Sequence, residues 1–128
     1  MSHMSKIELI INDLEVLERA CGQLNMEYSK DKAKFHGRGV SVRSKALAVV
    51  AVPGAKKVIS VLAEGESDFV LRSMLYDHDQ DFKTMTSAIG GLKQRYAVER
   101  ILAEARNKRM RIQETATETG VRLVLTAY

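Results

Sequence analysis

The residues best equipped for chemistry are few and scattered. Asp77-His78-Asp79-Gln80-Asp81 alternates carboxylates beside a histidine, the donor types and spacing that can hold a divalent cation. The stretch lacks the glycine and the distal bidentate glutamate of a calcium loop. A solvated acidic loop is therefore the expected reading, and no metal ligand is assigned. His36-Gly37-Arg38-Gly39 is the second candidate. Its two glycines permit positive φ and bring backbone amides close to a ligand, and Arg38 between them suits bidentate contact with an anion. A plain turn carrying a solvated arginine uses the same residues, because an isolated Gly-x-Gly is common in turns. Cys21, the one cysteine, recurs with Leu14, Leu17 and Leu24 at helical spacing. That placement predicts a buried structural thiol with nothing nearby to stabilise a thiolate. Nucleophile elbows, Walker loops and zinc spacings are absent. No catalytic residue is assigned, and a non-enzymatic protein without a cofactor is expected.

Cations are the more abundant resource. Lys and Arg total 20 against 16 acids, a net charge of +4. That is mildly basic, within an ordinary solubility margin, and compatible with an acidic partner. Arg38, Lys56 and Lys57 form one group of candidate contacts to phosphate or to a partner. Arg100, Arg106, Lys108, Arg109 and Arg111 form another. Four of the latter fall within residues 106–111, at a predicted helix C-terminus, where the helix dipole already favours some positive charge. Charge is polarised along the chain. Residues 64–81 hold six acids and one base, whereas residues 93–111 hold seven bases and two acids. Opposed segments of this size can steer a partner or a second copy of the chain, or neutralise each other within one fold.

The elements that must carry these residues form one α+β domain, since 128 residues suit a single core. Ile7, Leu9 and Ile11 alternate, which predicts a strand. Asn12 or Asp13 then caps a helix over residues 13–25. Residues 27–35 are polar, with Tyr28 and Phe35 as apolar anchors. Residues 46–52, 56–62 and 69–76 read as three strands joined by turns at Pro53-Gly54 and Glu64-Gly65-Glu66, an antiparallel meander. The first has apolar residues on both faces and is expected to be covered on both sides. Residues 84–91 suggest only a helical turn, because Gly90-Gly91 weakens a continuous helix. Residues 92–108 form the firmest helix, with Ala97, Val98, Ile101, Leu102 and Ala105 as its packing face. Arg95–Glu99, Arg100–Glu104 and Glu104–Lys108 are expected to lace its exposed side. A hairpin turning at Glu118-Thr119-Gly120 closes the chain. Its strands cover residues 110–115 and 121–126, with Val121, Leu123 and Leu125 facing one way. An antiparallel sheet of five to seven strands with two main helices is the expected fold.

Several function classes are disfavoured. Trp is absent, and 3 Phe and 4 Tyr supply few platforms for stacking single-stranded bases. A single cysteine excludes an internal disulfide and fits a reducing, cytoplasmic setting. No run approaches the roughly 18 apolar residues of a membrane span, and no signal peptide is evident.

Gln94-Arg95-Tyr96-Ala97, Glu104-Ala105 and the terminal Gly120-Val121-Arg122-Leu123-Val124-Leu125 resemble the hypothetical chloroplast reading frame thirty-five family. That family is a domain of unknown function found in plastids, cyanobacteria, other bacteria and tailed phages. Met1-Ser2-His3 and Asp13-Leu14-Glu15 stand where its members open and begin their first helix, and Val52-Pro53-Gly54 is similar to a central turn of phage-type members. Glu118-Thr119-Gly120 departs from the usual Glu-Asp-Gly, and the middle third diverges. The resemblance implies an α+β domain without established catalytic residues. By association with AAA-type ATPases it also implies an accessory or adaptor role. The leading expectation is thus a binding or adaptor protein whose partner is such an ATPase or a second copy of itself. The alternative is a nucleic-acid or small-nucleotide binder, phage-encoded in one version, which requires the bases of residues 30–45 and 93–111 to share one face.

Overall fold

A computed structural model of the chain describes residues 4–35, 38, 45–76 and 79–127, with side chains for all of these except 4–7 and 74–76. Strand β1 (Met4–Ile11) leads into helix α1 (Leu14–Gln23), then the short strand β2 (Glu27–Ser29) and a single 3-10 turn at Lys32–Phe35. The meander follows as β3 (Ala48–Ala51), β4 (Val58–Glu64) and β5 (Asp68–Tyr76). Helix α2 (Phe82–Asn107) then runs into the hairpin of β6 (Met110–Thr117) and β7 (Gly120–Ala127). The five-stranded sheet has the order β1-β5-β4-β3-β2, and the hairpin forms a separate two-stranded sheet. Among the described residues every pairing is antiparallel. The α+β class, the helix–hairpin ending and the meander are as expected from the sequence.

Local chemistry explains the element boundaries. Asp13 is extended, and its carboxylate accepts from the amides of Glu15 at 3.0 Å and Val16 at 3.2 Å, capping α1. The helix ends where Asn25 takes φ of 58°, a left-handed conformation that Asn tolerates better than most residues. Leu9 and Ile11 point to the face that α1 and α2 cover, together with Val50, Ile59, Val61 and Leu71. Both faces of β3 are indeed covered. Val50 meets the helices, while Val49 joins Phe35, Ala46 and Val58 in a small second core on the opposite face. Cys21 is fully buried among Leu17, Ala20 and the helix-facing core. Burial, with Glu18 nearby, pushes its thiol up to about 12.

Two expectations about α2 fail. The helix continues through Gly90 and Gly91 as 26 residues, about 39 Å long. A Cβ at Gly91 would make only an ordinary contact with Leu24, so neither glycine is sterically required, and the burial of Ala88, Ile89 and Leu92 on either side offsets the weak propensity. The packing face also differs, for Val98, Leu102 and Ala105 are buried but Ala97 and Ile101 are exposed. At about 100° per residue, Met85, Ala88, Ile89, Leu92 and Tyr96 form one stripe against the sheet core. Val98, Leu102 and Ala105 form a second stripe, centred roughly 120° around the helix, and the hairpin covers it. The helix therefore has no single apolar side.

Candidate functional site

The two groups of predicted contact residues lie far apart. Arg38, Lys56 and Lys57 gather at the N-terminal end of α2, while residues 106–111 follow its C-terminal end. The span from Asp81 to Arg106 is about 38 Å at the helical rise. They do not form one groove.

The first group is engaged in holding the fold. Arg38 lies over the Phe35 ring, 5.4 Å from its centroid. Its guanidinium donates to the Lys56 carbonyl at 2.7 Å and the Ala55 carbonyl at 3.0 Å. Gly37 and Gly39 fall outside the described residues, so only the arginine of that motif is placed. The buried Asp81 carboxylate accepts from the Lys56 amide at 2.8 Å and the Lys57 amide at 2.9 Å. The Lys57 ammonium meets Asp79 at 3.0 Å. Lys56, Lys57, Asp79, Gln80 and Asp81 line a recess of about 280 Å³. The solvated acidic loop expected here is thus corrected at Asp81, which is buried because two backbone amides converge on it. Asp77 and His78 lie outside the described residues.

The second group is divided among several environments. Arg100 is exposed and lies roughly opposite the hairpin side of α2. Lys108 pairs with Glu104 at 3.1 Å on the surface, as expected from their spacing. Arg109 is exposed and adopts φ of 53°, and Arg111 begins the exposed face of β6. Lys108 and Arg111 line small recesses against the hairpin, and Arg106 lines a larger cleft.

That cleft, about 420 Å³, lies between α1, α2 and β6. Arg19, Arg106 and Glu114 are exposed along its rim, and Arg95 and Glu99 lie deeper within it. The Arg95 side chain, 15% exposed, donates to Glu99 at 2.8 Å and also to Glu114 across the gap to the hairpin. Glu99 is only 4% exposed. Burial opposes the charge on Arg95, but hydrogen bonds to Glu114 and Glu99 outweigh it and hold the guanidinium pKa above its ordinary value. This corrects the expectation that Arg95–Glu99 laces an exposed side. The hairpin folds back over the pair and brings in a second carboxylate.

Sequence reasoning missed Arg19, Arg95, Glu99 and Glu114 as one constellation. A signal exists in α2, because Arg95, Glu99, Leu102 and Arg106 are four, three and four apart and form a stripe between its two apolar faces. Glu114 carries no such signal.

Gln94, Arg95 and Tyr96 fasten α2 to its surroundings. Gln94 donates to the Thr119 carbonyl in the hairpin turn at 3.3 Å. Arg95 ties α2 to β6 through Glu114. The Tyr96 hydroxyl accepts from the amides of Asn12 and Asp13 at 3.1 and 3.0 Å and donates to the Asn12 side chain at 2.9 Å. Three consecutive side chains thus reach three different elements. Among the described residues, no helix is long and apolar enough to cross a membrane. The chain matches no family model, no curated protein and no solved structure.

Proposed function

We propose that this chain is a non-enzymatic binding or adaptor protein that receives an acidic group of a protein partner in the cleft between α1, α2 and β6. The observation that carries this reading is the division of labour among the cleft's arginines. Arg95 is held between two carboxylates, whereas Arg19 and Arg106 stand exposed at the rim without an ion pair among the described residues. Rim cations at an open cleft favour association with an acidic surface and make it salt-dependent. An AAA-type ATPase is the partner class that the family resemblance brings. The alternative, a nucleic-acid binder, requires the bases of residues 30–45 and 93–111 to share one face, and Arg38 and Arg106 sit toward opposite ends of α2.

The test is binding of a fluorescent oligoglutamate peptide and of a single-stranded oligonucleotide at two ionic strengths. The expected result is peptide binding that weakens with salt and is lost in Arg19→Ala/Arg106→Ala, with unchanged melting. Tighter binding of the oligonucleotide, or peptide binding indifferent to the double substitution, would sink the reading.

A further inference from the structure

We propose that the outer edge of β7 pairs with the same edge of a second copy, antiparallel across a two-fold axis, so that two hairpins become one four-stranded sheet beneath two α2 helices. This edge lies on the far side of the hairpin from the cleft described above, so the two contacts stand or fall separately.

The free strand edges differ in how they are guarded. β2 has three residues, too few to template another strand. β1 carries Lys6 and Glu8. β6 carries Arg111, Gln113 and Glu114, and Glu114 lines the cleft. β7 presents eight residues, Gly120–Ala127, with Arg122 as the one charge. It contains no proline, no internal glycine and no bulge, since its register with β6 is continuous from Thr117–Gly120 to Met110–Ala127. Natural proteins blunt long edges with charges, proline, bulges or a cover, and β7 uses almost none of these.

The backbone supplies a defined set of donors and acceptors. A two-residue turn joins Thr117 and Gly120 as a hydrogen-bonded pair. Bonded and non-bonded pairs then alternate, which leaves the amides and carbonyls of Val121, Leu123 and Leu125 on the outer edge. The flanking side chains are apolar. Val124 is 40% exposed on one face, and Ile101 of α2, beside Leu125, is 43% exposed on the other.

Geometry and charge both favour a second copy as the occupant. Each α2 lies over its own hairpin, touching Glu114 of β6 and the Thr119 carbonyl before β7. In a four-stranded sheet with strands about 4.8 Å apart, the two helices would lie about 10 Å apart, an ordinary helix-packing distance. Ile101, beside Leu125, would then lie along the seam between the two helices. Registers centred on Leu123 or on Val124 set Arg122 opposite Val124 or Thr126 of the other copy, so the like charges never meet. The charged strand β6 becomes the outermost strand on both sides. Such an isologous contact closes on itself and does not propagate.

The experiment is sedimentation of the full chain across a concentration series, with hydrogen exchange at its two ends. The expected result is a mass twice 14.3 kDa at high concentration. Val124→Lys should halve that mass while keeping the circular dichroism of the folded chain and the melting that the parent shows at low concentration. In the unsubstituted protein, exchange in β7 should slow as concentration rises while exchange in β5 stays constant. A chain that remains monomeric throughout overturns the proposal. So does a dimer that persists in Val124→Lys, or a dimer whose β7 exchange ignores concentration. The exchange measurement decides the matter if Val124→Lys does not fold.

Discussion

The two halves of α2 solve the same packing problem with different completeness. The first half presses Met85, Ile89, Leu92 and Tyr96 against a five-stranded sheet, and both partners become buried. The second half presses Val98, Leu102 and Ala105 against a two-stranded hairpin, and only the helix side becomes buried. No hairpin residue is buried, although β7 alternates as a core-facing strand does. A two-stranded ribbon is too narrow to enclose its own apolar face, whereas five strands with a second small core behind them are not. The second half also substitutes polar fastenings for apolar depth, through Gln94, Arg95 and Glu114. The sheet half encloses its apolar surface, and the hairpin half is where a further surface has something to gain.

Truncating one apolar side chain in each half gives the largest contrast. Leu92→Ala removes a side chain with no exposure, and should lower the unfolding free energy by about 2–5 kcal/mol. Leu123→Ala removes a half-buried one and should cost about 1 kcal/mol in the monomer. Equilibrium denaturation of both variants measures the difference. Equal losses would mean that the hairpin is as well packed as the sheet. A Leu123→Ala loss that grows with protein concentration would instead show that a second copy covers the hairpin.

Arg95→Met comes next and isolates the polar fastening. It leaves Glu99 buried without its guanidinium, and breaking a buried pair from one side costs about 3 kcal/mol. Adding Glu99→Leu should recover most of that loss, because the stranded carboxylate is gone. A single variant as stable as the parent would show that water already solvates the pair.

What was legible in the sequence was local. A cap at Asn12 or Asp13, the Leu14–Leu17–Cys21–Leu24 face, the meander and the alternation of β7 all follow from neighbours within a few residues, and the structure selects Asp13. What was illegible depends on distant partners. Arg95–Glu99 has the spacing of a surface ion pair, and only the return of β6 buries it. Asp81 reads as part of an acidic loop until the amides of Lys56 and Lys57 converge on it. Gly90-Gly91 reads as a break because the distant core that buries Ala88, Ile89 and Leu92 around it is not encoded nearby. The placement of β1 beside β5, and of Tyr96 against the β1–α1 corner, has no local signature at all. For the same reason the candidate site was half seen. Arg106 is legible as a cation at a helix end, while its cleft partners on α1 and β6 have no sequence signal.

Cys21 probes the sheet half by titration. Its folded-state thiol is held up to about 12, above an unfolded value of 9.0, because burial disfavours the thiolate. The neutral thiol therefore contributes stability that is complete below pH 9 and is lost as pH climbs toward 12. The slope approaches about 1.4 kcal/mol per pH unit in that window. Lysines and tyrosines titrate there too, so the measurement is the difference between the parent and Cys21→Ala. The parent should lose stability faster above pH 9. Parallel curves, or native labelling by a thiol reagent as fast as in denaturant, would show that the thiol is reachable and the helix face loosely closed.

The smallest effect should have the opposite sign, and it concerns how α1 and α2 end. Each helix is followed by a residue in the left-handed region, Asn25 after α1 and Arg109 after α2. Asn accepts that conformation readily, whereas most side chains meet a penalty from the following carbonyl, and glycine is the usual occupant. Arg109→Gly should therefore raise stability by about 1 kcal/mol, offset in part by the greater freedom of glycine when unfolded. At this chain length that corresponds to a rise in melting temperature of about 4 °C. Retaining arginine where the backbone favours glycine is intelligible if the guanidinium is wanted at the surface between Arg106 and Arg111. The same substitution should then weaken binding of the oligoglutamate peptide while the fold gains stability. A fall in melting temperature would mean that Arg109 secures the turn through its side chain. A rise with unchanged peptide binding would leave the arginine without a role in the contact surface and confine that surface to Arg19 and Arg106.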